Sequence, residues 1–164
     1  MNRDRLRLAI VLGLLVFLQF SVRSRLGDDR ITPDFLLLAL LIFAIRSRPG
    51  TSAAAGFLVG LLRDALTPAS FGAGALAHTL TGYFSSWSKV VFFAENLLVN
   101  GVVFFAGTWL RNFVIAVASG RLSGSQLIWQ LLVWSPLQGL TTAATGIVVL
   151  LVFRNWLPIR LGEP

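Results

Sequence analysis

Long apolar runs follow one another along this chain with only short polar breaks between them. No other feature of the sequence restricts the fold as strongly. A helix needs about 20 residues to cross the hydrocarbon of a bilayer. Soluble domains carry about a quarter charged residues, whereas here 13% are charged and 55% apolar. A water-soluble core built from 164 residues could not bury that much apolar surface, so lipid must cover part of it. The expectation is an all-α integral membrane protein of about six transmembrane helices. They form a single polytopic membrane domain over residues 1–164, with no room for a soluble catalytic domain.

The polar breaks define the elements. A first helix is predicted at residues 6–22. Its basic start resembles a secretory leader, but the run is long. Arg23 and Arg25 stand where a small-x-small cleavage site would be, so the helix is expected to be retained. After a polar loop, helix 2 is predicted at 33–45, with Pro33 suited to a first turn; its shortness fits a tilted or partly buried helix. Arg46-Ser47-Arg48-Pro49-Gly50 makes a turn. Helix 3 follows at 51–66 and ends at Thr67-Pro68, because a residue before proline disfavours helix. Helix 4 is predicted at 72–87. Helix 5 lies within 90–117, a stretch too long for one straight span and interrupted by Glu95, Asn96, Asn100, Arg111 and Asn112. In the last stretch, 127–157, Pro136 either kinks the helix or leaves an interfacial segment before a sixth span at 137–153. Six spans are favoured, with five as the alternative. Trp87, Trp109, Trp129 and Trp156 fall near predicted ends and suit an interfacial belt.

The formal charge is +7. The arginines flank predicted helix ends and form no contiguous basic face outside them, so they read as headgroup contacts rather than a nucleic-acid surface. With the N-terminus inside, inner segments hold Arg3, Arg5, Arg7, Arg46, Arg48, Lys89, Arg154 and Arg160. Outer segments hold Arg23, Arg25, Arg30, Arg63, Arg111 and Arg121. This bias places both termini in the cytoplasm. There is no cysteine, which excludes disulfides and thiol chemistry.

Several residues stand out within the spans. Ser52, Gly56, Gly60 and Asp64 are four apart and share one face of helix 3. Such a smooth face lets another helix approach closely in lipid, and Asp64 closes it as either a headgroup-facing carboxylate or a buried polar anchor. Gly74, His78 and Gly82 repeat the spacing on helix 4. His78 is the only histidine. An imidazole inside a span needs a hydrogen bond or a wet cavity, and Asp64, Thr79 and Thr81 are candidate partners; a proton-relay or ligand role is the alternative. With no second histidine and no cysteine, no metal site is expected, and no cofactor. Asn96 and Asn100 share a face near Glu95, which reads as an interfacial residue. Gly139, Ala143 and Gly146 form a third small-residue face, beside Thr141, Thr142 and Thr145. No catalytic motif is present.

Together these segments resemble a family. Pro33-Asp34-Phe35-Leu36-Leu37, then Gly56-Phe57-Leu58-Val59-Gly60-Leu61-Leu62-Arg63-Asp64, then Phe71-Gly72-Ala73-Gly74-Ala75-Leu76 and Leu80-Thr81-Gly82-Tyr83, in that order and spacing, are similar to the rod shape-determining protein MreD family. The resemblance rests on motifs over residues 1–90 and on length and hydropathy beyond. It implies a non-enzymatic role in bacterial cell elongation at the inner membrane. It also implies binding to the single-span protein MreC, service to sidewall peptidoglycan synthesis with MreB, RodA and its transpeptidase partner, and a fold similar to the substrate-capture subunits of energy-coupling-factor vitamin transporters. On this reading the small-residue faces are seams for MreC, for a second copy, or for the chain's own helices. Two other readings stand beside it. One is a vitamin-like small-molecule binding subunit using His78, Asn96 and Asn100. The other is a lipid-active enzyme using Asp64, His78 and Glu95.

Overall fold

A computed structural model describes residues 3–22, 25, 27–28, 30–66, 72–91, 96–122, 124–154 and 156. Among the described residues the chain is helical, without strands. In order come α1 (Arg3–Ser21), α2 (Phe35–Ala44), α3 (Pro49–Leu66), α4 (Ala73–Val91) and α5 (Leu97–Ser119). The last rod is built from α6 (Ser125–Trp129), a π-helical turn (Gln130–Trp134) and α7 (Ser135–Val152). That makes six rods. By length and composition alone, α5 and the rod 125–152 qualify as membrane spans. The helices α1 and α3 have 19 and 18 residues, or about 27 Å at 1.5 Å per residue. They carry charge within that length: Arg3, Asp4, Arg5 and Arg7 in α1, Arg63 and Asp64 in α3.

The distribution of side chains is the reverse of a soluble protein's. Large apolar residues point outward in stripes: Leu6, Ile10, Leu14 and Phe17 on α1; Phe57, Leu58, Leu62 and Leu66 on α3; Leu98, Val102, Trp109, Phe113 and Val117 on α5. Asp34, Ser52, Asp64, His78, Asn100, Arg111, Gln138 and Thr142 are buried. Water would penalise both halves of that arrangement, whereas a hydrocarbon solvent favours both.

Predicted and observed boundaries differ where capping decides them. Helix 2 begins one residue after Asp34 rather than at Pro33, because the Asp34 carboxylate accepts the Leu37 N–H at 3.0 Å and acts as the N-cap. All of α2 except Phe43 is buried, with Val11 and Leu15 of α1, Phe104 of α5 and Leu150 of α7 packed into the same core. The expected short, partly buried helix is the central one. The long stretch after residue 90 divides where Asn96 caps α5, accepting the Leu98 N–H at 2.8 Å. It ends at Gly120, whose φ of 60° is the left-handed conformation that closes helices.

Pro136 does not split the last rod. The helix widens just before it, and the Ser135 N–H reaches the Gln130 carbonyl five residues back. The Leu131 carbonyl then has no N–H in register, because position 136 is proline. The Trp109 indole N–H fills that vacancy at 3.1 Å. Trp109 therefore lies in the middle of α5 as a tie to the last rod, not at a helix end.

Candidate functional site

Two antiparallel helix pairs frame the site. In the first, the small face of α3 meets the small face of α4. A Cβ on Gly56 would strike the His78 carbonyl oxygen, one on Gly60 would strike Gly74 and Ala75, and one on Gly82 would strike the Ser52 carbonyl. The sequence left open whether the Gly56/Gly60 groove receives a partner or a neighbouring helix; the structure seats α4 in it. In the second pair, α5 and α7, Gly139 lies against Phe105, with its Cβ position 2.9 Å from that ring, and Gly146 lies against Phe104. Ala143 is buried in the common core.

Asp64 sits at the end of the first seam and is buried. Its carboxylate accepts the backbone N–H groups of Gly72, Gly74 and Ala75 at 2.8, 3.0 and 2.9 Å. These are donors at the start of α4 that the helix cannot satisfy itself. A negative charge there also faces the positive end of the helix dipole. His78 does not use Asp64. Its Nδ1 lies 2.7 Å from the Gly74 carbonyl, one turn back on its own helix. Its Nε2, and the hydroxyls of Ser52 and Thr81, have no hydrogen-bond partner among the described residues.

The strongest polar feature was not among the residues singled out from the sequence. Asp34 has no exposed surface, and one oxygen of its carboxylate accepts from both Arg63 of α3 and Arg111 of α5. The Arg111 side chain is 8% exposed and that of Arg63 24%. Sequence reasoning placed both arginines at the membrane rim. Arg63 does lie in the last turn of α3, but its guanidinium reaches the buried Asp34 carboxylate. A carboxylate beside an apolar run of ten residues was the available signal, because a buried charge must find a cation.

Around this ion cluster the chain from Ile31 to Asp34 is not helical, and α7 supplies its hydrogen bonds. Gln138 donates to the Thr32 carbonyl at 3.2 Å while accepting from Asn112 at 2.9 Å. The Thr141 hydroxyl reaches the Ile31 carbonyl at 2.6 Å, and Thr142 accepts the Asp34 N–H at 3.3 Å. Asn96 serves as the α5 cap, and Asn100 is buried one turn further on. Glu95 lies outside the described residues. Among the described residues no three His, Cys, Asp or Glu side chains come together as a metal site would require.

A bundle with apolar outer surfaces, glycine seams and an ion-paired cluster inside is the architecture of a helical membrane protein. The particular family follows from comparison with known proteins: the model of the rod shape-determining protein MreD matches residues 4–159, and the chain belongs to that family. Its role is therefore in rod shape determination, in a membrane protein family of structural, shape-determining character. No curated protein and no solved structure was found to match.

Proposed function

We propose that this chain is a non-enzymatic, multi-pass component of the bacterial inner membrane's elongation machinery, which grips the membrane helix of MreC and so supports sidewall peptidoglycan synthesis. Both termini lie in the cytoplasm on this reading, and RodA with its transpeptidase partner and MreB are the wider assembly it serves. The observation that carries the proposal is an apolar groove of about 640 Å³ between α4 and α5, walled by Phe84, Trp87, Leu98, Val102, Ala106 and Trp109. From Leu98 to Leu110 it follows α5 for about 18 Å, or three helical turns. Ala106 and Gly107 keep it shallow-walled, which suits close approach of another helix. The seams first singled out are already filled by the chain's own helices, whereas this groove is open, apolar and long enough to fit a companion rod.

The groove is apolar almost throughout, and His78, Asn96 and Asn100 do not line it. A vitamin-like ligand needs convergent polar groups and finds no support there. The test is co-purification with MreC in mild detergent. Ala106→Trp, which fills the groove from an exposed position, is expected to abolish MreC recovery and leave the melting temperature unchanged. Full recovery of MreC with both Ala106→Trp and Val102→Trp overturns the proposal.

A further inference from the structure

A second cleft, of about 460 Å³, opens where α5 ends and the last rod begins. Its volume is in the range of small-ligand sites, and its chemistry is the opposite of the groove's. Arg30 from the loop before α2, Arg111 from α5 and Arg121 from the loop after α5 converge on it, with Asn112, Gln130 and Gln138 between them. Three guanidiniums drawn from three separate segments repel one another unless an anion faces them. Among the described residues no carboxylate lines the cleft. Among the described acids nearby, Asp34 accepts from Arg63 and Arg111 beneath the floor, and Asp28 accepts the Arg30 backbone N–H at 2.9 Å. The Arg30 guanidinium lies over the Trp134 ring, 5.3 Å from its centroid. A cation–π contact of this kind engages no N–H donor in an ion pair. Arg121 forms no ion pair among the described residues. From Arg111 to Ser119 the wall rises about 12 Å, so the cleft has a mouth with two arginines and a polar floor.

We propose that this cleft binds a phosphate-bearing anion, with the Arg30 and Arg121 guanidiniums taking the phosphate oxygens at the mouth and Arg111 holding the floor positive. The forked donors of arginine match phosphate geometry. The phosphate is carried either by a phospholipid headgroup entering from the bilayer surface or by a soluble phosphate compound, and two experimental arms separate these sources. In one, native mass spectrometry of the full chain compares retention of phosphatidylglycerol with that of zwitterionic phosphatidylcholine. In the other, inorganic phosphate and pyrophosphate are titrated onto the chain in phosphatidylcholine nanodiscs. Arg30→Gln and Arg121→Gln change exposed side chains; Arg154→Gln, near the far end of α7, is the control. Melting temperatures report folding, and the single Arg121→Gln variant serves if the double variant is unstable. Loss of one charge-assisted contact is expected to weaken binding about tenfold, and loss of both more, with the control unchanged. Selective phosphatidylglycerol retention assigns a lipid headgroup, and saturation by free phosphate or pyrophosphate assigns a soluble ligand. The proposal is overturned if neither binds, or if Arg154→Gln weakens binding as much as the cleft variants do.

Discussion

Replacing Asp34 by asparagine removes one charge from the ion cluster while keeping its size and its ability to cap α2. In the folded protein the carboxylate has no exposed surface, so the variant leaves Arg63 and Arg111 facing each other without their shared anion. Breaking a buried pair by deleting one partner costs about 3–5 kcal/mol. The Arg63 arm is a quarter open to the surface and resembles an exposed pair, worth about 1 kcal/mol or less, so most of the loss belongs to the Arg111 arm. For a chain of this length 1 kcal/mol moves the melting temperature by about 2–4 °C, which gives an expected drop of about 6–20 °C. Tryptophan fluorescence in detergent during a thermal ramp reads it, since the chain has five tryptophans. Asp34→Ala is expected to fall further, by about 1 kcal/mol, because the Leu37 N–H also loses its cap. Arg111→Ala is expected to cost more than Arg63→Ala. A drop below about 2 °C for Asp34→Asn, or the reverse order of the two arginines, would refute the assignment of this cluster as the principal polar tie of the bundle.

Other outcomes follow from the same geometry. Gly56→Ala and Gly60→Ala each push a methyl into α4 backbone and are expected to cost about 1–3 kcal/mol. Gly13→Ala, where the added methyl meets nothing, is expected to be neutral or stabilising by up to about 1 kcal/mol, and thermal melts of the three variants check the contrast. Asp64→Ala strips three backbone donors of their acceptor. Its expected cost is about 2 kcal/mol or more, with faster hydrogen exchange confined to the first turn of α4. Trp109→Phe leaves the Leu131 carbonyl without its indole donor and is expected to cost about 1 kcal/mol, read as a lower melting temperature.

Much of the bundle is visible in the sequence because the relevant signals are local. The four-residue spacing of Ser52, Gly56, Gly60 and Asp64 identifies a close-packing face, and Gly74, His78 and Gly82 identify its counterpart. Which helix fills which face is a pairing of distant segments, and spacing within one helix does not carry it. The same limit hid the ion cluster. Asp34 and Arg111 stand 77 positions apart, and each alone resembles a residue at a helix end. The rule that basic residues mark membrane rims placed Arg63 and Arg111 outside the core, whereas a carboxylate of zero exposure draws both into it. Pro136 was misleading for a related reason. A proline predicts a kink from its own missing N–H, but the repair comes from an indole on another helix.

The shortness of α2 ties these features together. It has 10 residues and spans about 15 Å, half the roughly 30 Å of a bilayer's hydrocarbon. The segment just before it, Thr32 to Asp34, is non-helical and largely buried in the bundle. Non-helical backbone at membrane depth is tolerated only when protein satisfies its polar groups. That requirement accounts for residues with no other evident reason to lie inside an apolar rod: Gln138 on the Thr32 carbonyl, Thr141 on the Ile31 carbonyl and Thr142 on the Asp34 N–H. It also accounts for Gln19 of α1, which accepts the Leu36 N–H at 3.2 Å. The two arginines then more than balance the one negative charge that the entry of α2 introduces, which leaves the cluster with an excess of positive charge. Polar side chains on α1, α3, α5 and α7 thus converge on a single physical problem, the burial of a non-helical stretch of main chain and the carboxylate at its end. The bundle closes because that problem is solved from several helices at once.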